Sequence, residues 1–209
     1  MPAVAAAASI EGTVTDAGTA EPVQGANVCA YAWGAPGVCT TTGENGSYSI
    51  TGLESDSYKV EFESIEAGLN YITQYYNGKA TFEKAEWVTV LGESATTGVN
   101  AALVKGGRIT GIVTDESTSE PIEGITVCAF VIGTAILSCD KTDAAGEYAV
   151  IGLPTGTAYK VEFAAAPESG LSYQTEFYNN KFSFMKGNPV SVVAGSTTSG
   201  IDAALTPIP

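Results

Sequence analysis

Tyr58-Lys59-Val60-Glu61-Phe62 returns unchanged, about one hundred residues later, as Tyr159-Lys160-Val161-Glu162-Phe163. Within each copy, aromatic and branched side chains alternate with charged ones. That period of two belongs to a strand with one buried face and one wet face. The same offset aligns Ile10-Glu11-Gly12-Thr13-Val14-Thr15-Asp16 with Ile109-Thr110-Gly111-Ile112-Val113-Thr114-Asp115, and Glu21-Pro22-Val23-Gln24-Gly25 with Glu120-Pro121-Ile122-Glu123-Gly124. Further along, Gly98-Val99-Asn100-Ala101-Ala102-Leu103 answers Gly200-Ile201-Asp202-Ala203-Ala204-Leu205. The 209 residues are therefore two tandem copies of one domain, 10-104 and 105-209, behind a disordered leader at 1-9.

Ile10 to Val14, Val88 to Val90 and their partners in the second copy share the alternation. Turn signals separate these runs: Glu44-Asn45-Gly46, Asp143-Ala144-Ala145-Gly146, Asn77-Gly78 and Asn179-Asn180, residues that tolerate positive φ. No helical period is sustained. The fold expected is all-β, with two tandem Greek-key antiparallel β-sandwich domains arranged head to tail.

Composition narrows the chemistry. Nine Lys and Arg against 23 Asp and Glu give a net charge of -14, which repels nucleic acid and anionic membranes. With no histidine, Ser-His-Asp triads, Cys-His pairs and His-ligated metals are excluded. No apolar run is long enough for a membrane span, so membrane insertion is not expected. The small residues Met-Pro-Ala-Val-Ala-Ala-Ala-Ala-Ser at 1-9 look like the surroundings of a signal cleavage site.

Cys29 and Cys39 occupy the same place in the first copy as Cys128 and Cys139 in the second. This favours pairing within each repeat, where a bridge would fasten two neighbouring strands across a Gly-containing loop. Each closure is worth about 2 to 3 kcal/mol by loop entropy. Buried free thiols are the alternative, and a four-cysteine metal site lacks CxxC spacing. Disulfides imply an oxidising compartment, hence a secreted or cell-surface protein.

Gly12-Thr13-Val14-Thr15-Asp16, Glu21-Pro22-Val23-Gln24-Gly25-Ala26-Asn27-Val28, Gly46-Ser47-Tyr48, Gly52-Leu53 and Tyr58-Lys59-Val60 together resemble the carboxypeptidase regulatory-like domain. The second copy matches through Thr142-Asp143-Ala144-Ala145-Gly146-Glu147-Tyr148 and Gly152-Leu153-Pro154. That family is similar in fold to transthyretin and to the B-type repeats of collagen adhesins. The resemblance implies a non-catalytic stalk or accessory module on a secreted or surface bacterial protein, part of a longer protein or assembly. The adhesin repeats often carry a Lys-Asn isopeptide bond. Here the first strands hold no lysine, and the last-strand position is Asn100 in one copy and Asp202 in the other, so no such bond is expected.

An aromatic insertion follows each Tyr-Lys-Val-Glu-Phe strand. Tyr75, Tyr76, Asn77, Lys79 and Trp87 in the first copy, with Phe177, Tyr178, Asn179 and Lys181 in the second, are candidates to bind a polysaccharide or a surface protein. The competing account makes Tyr75 and Phe177 core residues of a strand and the others cover for its edge. Lys59 and Lys160 are expected on the solvated face. Asp16, Asp115, Asp140 and Asp143 suit local turn caps better than a calcium site, since no EF-hand spacing is present. Glu61 and Glu63 share a strand face but no cleft marks them as a glycosidase pair, and Asn45-Gly46-Ser47 fits a sequon but reads more simply as a turn. No cofactor, resident metal or enzymatic activity is expected.

Overall fold

The computed structural model describes residues 8–64, 68–131 and 136–208. The chain divides between Lys105 and Gly106 into two units. The first runs β1 (Ala8–Asp16), β2 (Asn27–Tyr31), β3 (Val38–Thr41), β4 (Ser47–Leu53), β5 (Asp56–Glu63), β6 (Gln74–Tyr75), a 3-10 turn (Phe82–Lys84), β7 (Val88–Val90), β8 (Ala95–Thr96) and β9 (Ala101–Leu103). The second repeats this order as β10 (Gly107–Asp115), β11 (Ile125–Val131), β12 (Ile136–Lys141), β13 (Glu147–Leu153), β14 (Gly156–Ala165), β15 (Glu176–Phe177), β16 (Val190–Val192), β17 (Thr197–Thr198) and β18 (Ala203–Leu205).

Each unit is a sandwich of two sheets. In the first, β1 lies between β4 and the pair β8 and β9, while the facing sheet runs β3-β2-β5-β6 with β7 also on β5. The second unit has the same connections through its own strands. Alternate residues of each strand turn inward: Tyr58, Val60 and Phe62 of β5 are buried with Ile10 and Val14 of β1 and Tyr48 and Ile50 of β4. Tyr48 meets Phe62 edge-on between the sheets, as Tyr148 meets Phe163 in the second unit. The buried hydroxyls are satisfied, Tyr48 donating to the Val99 carbonyl and Tyr148 to that of Ile201, each at 2.6 Å.

Pairing is antiparallel in both sheets with one class of exception. β8 and β9 run parallel to β1, as β17 and β18 do to β10. Where the returning chain crosses β1, Gly12 is required, because a Cβ there would collide with the Val99 carbonyl; Gly111 faces Ile201 in the same way. The leader boundary also shifts. Ala8 and Ser9, expected in the leader, open β1 opposite Leu53 and Thr51, with Ala8 buried in the core, while residues 1–7 lie outside those described.

Candidate functional site

Cys29 of β2 stands directly opposite Cys39 of β3, and Cys128 of β11 opposite Cys139 of β12. Both pairs are bonded, with Cα atoms 4.1 Å apart in each unit. All four cysteines are thereby used. In the first unit the staple closes a loop that carries Trp33 outward, 89% exposed.

The outer face of β5 departs from the pattern read in its sequence. Lys59 and Lys160, expected in solvent, are each only 7% exposed. The segment after β6 folds back over this face. Lys59 donates to the carbonyls of Phe82 (2.6 Å) and Glu83 (2.9 Å), and Lys160 to that of Gly187. The Lys59 ammonium also lies 4.9 Å from the centre of the Phe82 ring and 5.1 Å from that of Trp87.

Beside it, Glu61 accepts from the hydroxyls of Tyr31 (2.9 Å) and Tyr75 (2.7 Å). Burial, then donation to that carboxylate, raises the Tyr75 hydroxyl well above the ordinary tyrosine range. Phe82 packs nearly perpendicular to both tyrosine rings. The second unit keeps the ring trio as Phe130, Phe177 and Phe184 but drops both hydroxyls. There Glu162 occupies the Glu61 position, and burial raises its carboxyl above the usual range.

The candidate ligand residues separate in space. Tyr76 and Tyr178 pack against the cores of their units, so the alternation has the opposite phase to that expected; Tyr75 and Phe177 are the outward members. The cause is the short bridge Tyr75↔Lys79, repeated as Phe177↔Lys181, which turns the chain back at Asn77-Gly78 and at Asn179-Asn180. Gly78, Asn179 and Asn180 take positive φ there. Lys79 pairs with Glu86 at 3.0 Å. Of the candidate ligand residues, Trp87 alone joins the exposed aromatic cleft, a hollow of about 650 Å³ shared with Tyr31, Trp33, Lys59, Phe82 and Glu83. Trp33 and Phe82 were not singled out from the sequence. The signal was there in that both tryptophans of the chain fall in one copy.

The turn acids are occupied locally. Asp16 accepts the amides of Gly18 (2.7 Å) and Thr19 (3.0 Å) and the Tyr71 hydroxyl (2.9 Å), with Lys105 at 3.8 Å. The Thr19 amide, then Gly18 and Tyr71, hold its carboxyl below the usual range, and burial followed by this bond pushes the Tyr71 hydroxyl up to about 12. Asp115 repeats the cap with Ser117, Thr118 and Tyr173. Asp143 accepts from Ala145 and Glu147, Asp140 from Ala149, and Asn45 from Ser47. Asn100 accepts from Thr13, and Asp202 fills the same role for the Ile112 amide. Among the described residues no group of three or more Cys, Asp or Glu could hold a metal ion, and no helix is long and apolar enough to cross a membrane.

The family model for the carboxypeptidase regulatory-like domain matches residues 9–103 and again 108–206. No curated protein matches the chain. Solved structures that resemble it include the Bacillus anthracis TIE protein, at 13% identity and a TM-score of 0.37, covering 97% of this chain and 34% of that one. The chain thus spans about a third of that protein. The minor pilin GBS52 of Streptococcus agalactiae aligns at 11% identity and 0.39, over 96% of both chains. The shaft pilin SpaA of Lactobacillus rhamnosus GG aligns at 14% and 0.40, over 97% of both. At these values the likeness assigns no role to any residue here.

Proposed function

Because the chain belongs to the carboxypeptidase regulatory-like domain family in both of its halves, we propose that it is a non-catalytic structural module of a secreted or cell-surface bacterial protein. The observation that carries this is the identical placement of a disulfide across β2 and β3 in the first unit and across β11 and β12 in the second. A covalent staple of this kind persists only in an oxidising compartment. It restricts the unfolded chain, so it suits a domain whose task is to stay folded among proteases. The acids that might have served chemistry are instead bound to turn amides and tyrosines. The strongly negative net charge keeps such a module dispersed in solution.

The test compares digestion of the oxidised protein with that of the doubly substituted Cys39→Ser, Cys139→Ser chain. Losing about 2 to 3 kcal/mol per unit should speed cleavage roughly 30- to 150-fold where cleavage follows the open population. Equal digestion rates would sink the proposal, since the staples would then contribute nothing to persistence.

A further inference from the structure

We propose that the cleft formed by Tyr31, Trp33, Lys59, Phe82, Glu83 and Trp87 in the first unit is a binding site for a neutral saccharide, stacked on the two tryptophans. Trp33 is 89% exposed and Trp87 48% exposed, on the rim of a hollow within the volume range of small-ligand sites. An unpartnered indole at the tip of a loop loses free energy to water, and this loop is held in place by the Cys29–Cys39 bond directly behind it. Tyr31 also braces it, because its ring lies against Gly37, where any larger residue would collide.

Charge selects the ligand. An aromatic enclosure of this kind ordinarily suits a cation, but here the Lys59 ammonium already lies over Phe82 and Trp87. A second cation would meet it at close range. An anion would approach a chain of net charge -14. The occupant is therefore uncharged. Hydrogen bonding selects further. The carbonyls of Phe82 and Glu83 are engaged by Lys59, and Glu83 itself lines the hollow, its carboxylate keeping acceptor sites beyond those taken by its own amide and Thr81. Its own backbone amide and the Thr81 hydroxyl keep that carboxyl below the usual range, so it is ionised and accepts only. The ligand must present an apolar face to the indoles and hydroxyl donors to the carboxylate. A sugar ring has both, whereas a proline-rich segment, the other neutral ligand that stacks on tryptophan, brings few donors. The cleft belongs to this unit alone among the described residues, since the chain's two tryptophans both stand in it.

The same fact makes the test direct, because all tryptophan fluorescence reports on the cleft. The intact protein is titrated with cellohexaose, xylohexaose, mannohexaose and chitohexaose, each to about 10 mM, above the millimolar affinity expected of a shallow stacking site. At least one should quench or blue-shift the emission with a saturable curve that is unchanged by added salt, as an uncharged ligand requires. Trp33→Ala, followed through Trp87, should weaken that binding at least tenfold with the far-UV spectrum retained, and Glu83→Gln should weaken it about threefold. Phe182→Ala in the second unit should have no effect. The proposal is overturned if none of the four sugars shifts the emission, if Trp33→Ala leaves binding intact, or if decaproline binds where the sugars do not. None of these outcomes bears on the protease test above, so the two proposals fail separately.

Discussion

At the scale of single residues, the two units perform a substitution experiment on one carboxylate. Glu61 is held by two tyrosine hydroxyls, while Glu162 has phenylalanine at both matching positions and a carboxyl raised by burial. A raised folded-state value means that the folded chain favours the protonated form. The contribution of Glu162 is fully present below the ordinary glutamate value and is lost as pH rises through the raised one. Glu162→Gln should therefore stabilise the protein at pH 7 by about 0.5 kcal/mol, the scale of a partly screened charge, and the gain should vanish near pH 4. Thermal denaturation at the two pH values measures it. Converting the first unit to the second's chemistry, with Tyr31→Phe and Tyr75→Phe together, should cost about 1 to 2 kcal/mol at pH 7, read from the unfolding of the tryptophan signal. An unchanged midpoint would mean that water replaces both hydroxyls at no loss.

Among the elements, β1 and β10 are the most tightly specified, since each is flanked on both sides and crossed at a glycine. Gly12→Ala and Gly111→Ala should each destabilise their unit by about 2 to 3 kcal/mol, because the opposing atom is a backbone carbonyl that cannot move aside. Gly52→Ala meets no neighbour and should cost about 1 kcal/mol from its φ of 77° alone. Chemical denaturation of the three variants ranks them. The strands themselves were legible in the sequence, because a buried face writes a period of two into Tyr58-Lys59-Val60-Glu61-Phe62 and the repeat wrote it twice. The disulfides were legible because equivalent positions in two copies must serve the same geometry. The outer face of β5 was not. Burial of Lys59 depends on a segment more than twenty residues further on, and a local pattern cannot register a cover that arrives from elsewhere in the chain. The inverted roles of Tyr75 and Tyr76 have the same origin, in a tight turn whose direction alternation leaves unspecified.

For the whole molecule, the repeat preserves the scaffold of each unit while letting its outer surface diverge: the staples, turn caps and buried tyrosine-to-carbonyl bonds recur, whereas both tryptophans sit in one unit. One shared feature bears on what happens when the ends of the chain are drawn apart. In each unit the first strand and the last are parallel neighbours, Val14 beside Ala101 and Val113 beside Ala203. Tension then drags those strands in opposite directions along their length, so their hydrogen bonds are loaded in shear and must yield together rather than open one after another like a zip. Stretching single molecules in an optical trap should show two rupture events. Each should release a length short by about 3 nm, the extended span of the nine or ten residues enclosed by its cysteine bond, and a reducing agent should restore that length. A chain built in this way resists abruptly and then gives by a fixed, redox-dependent increment.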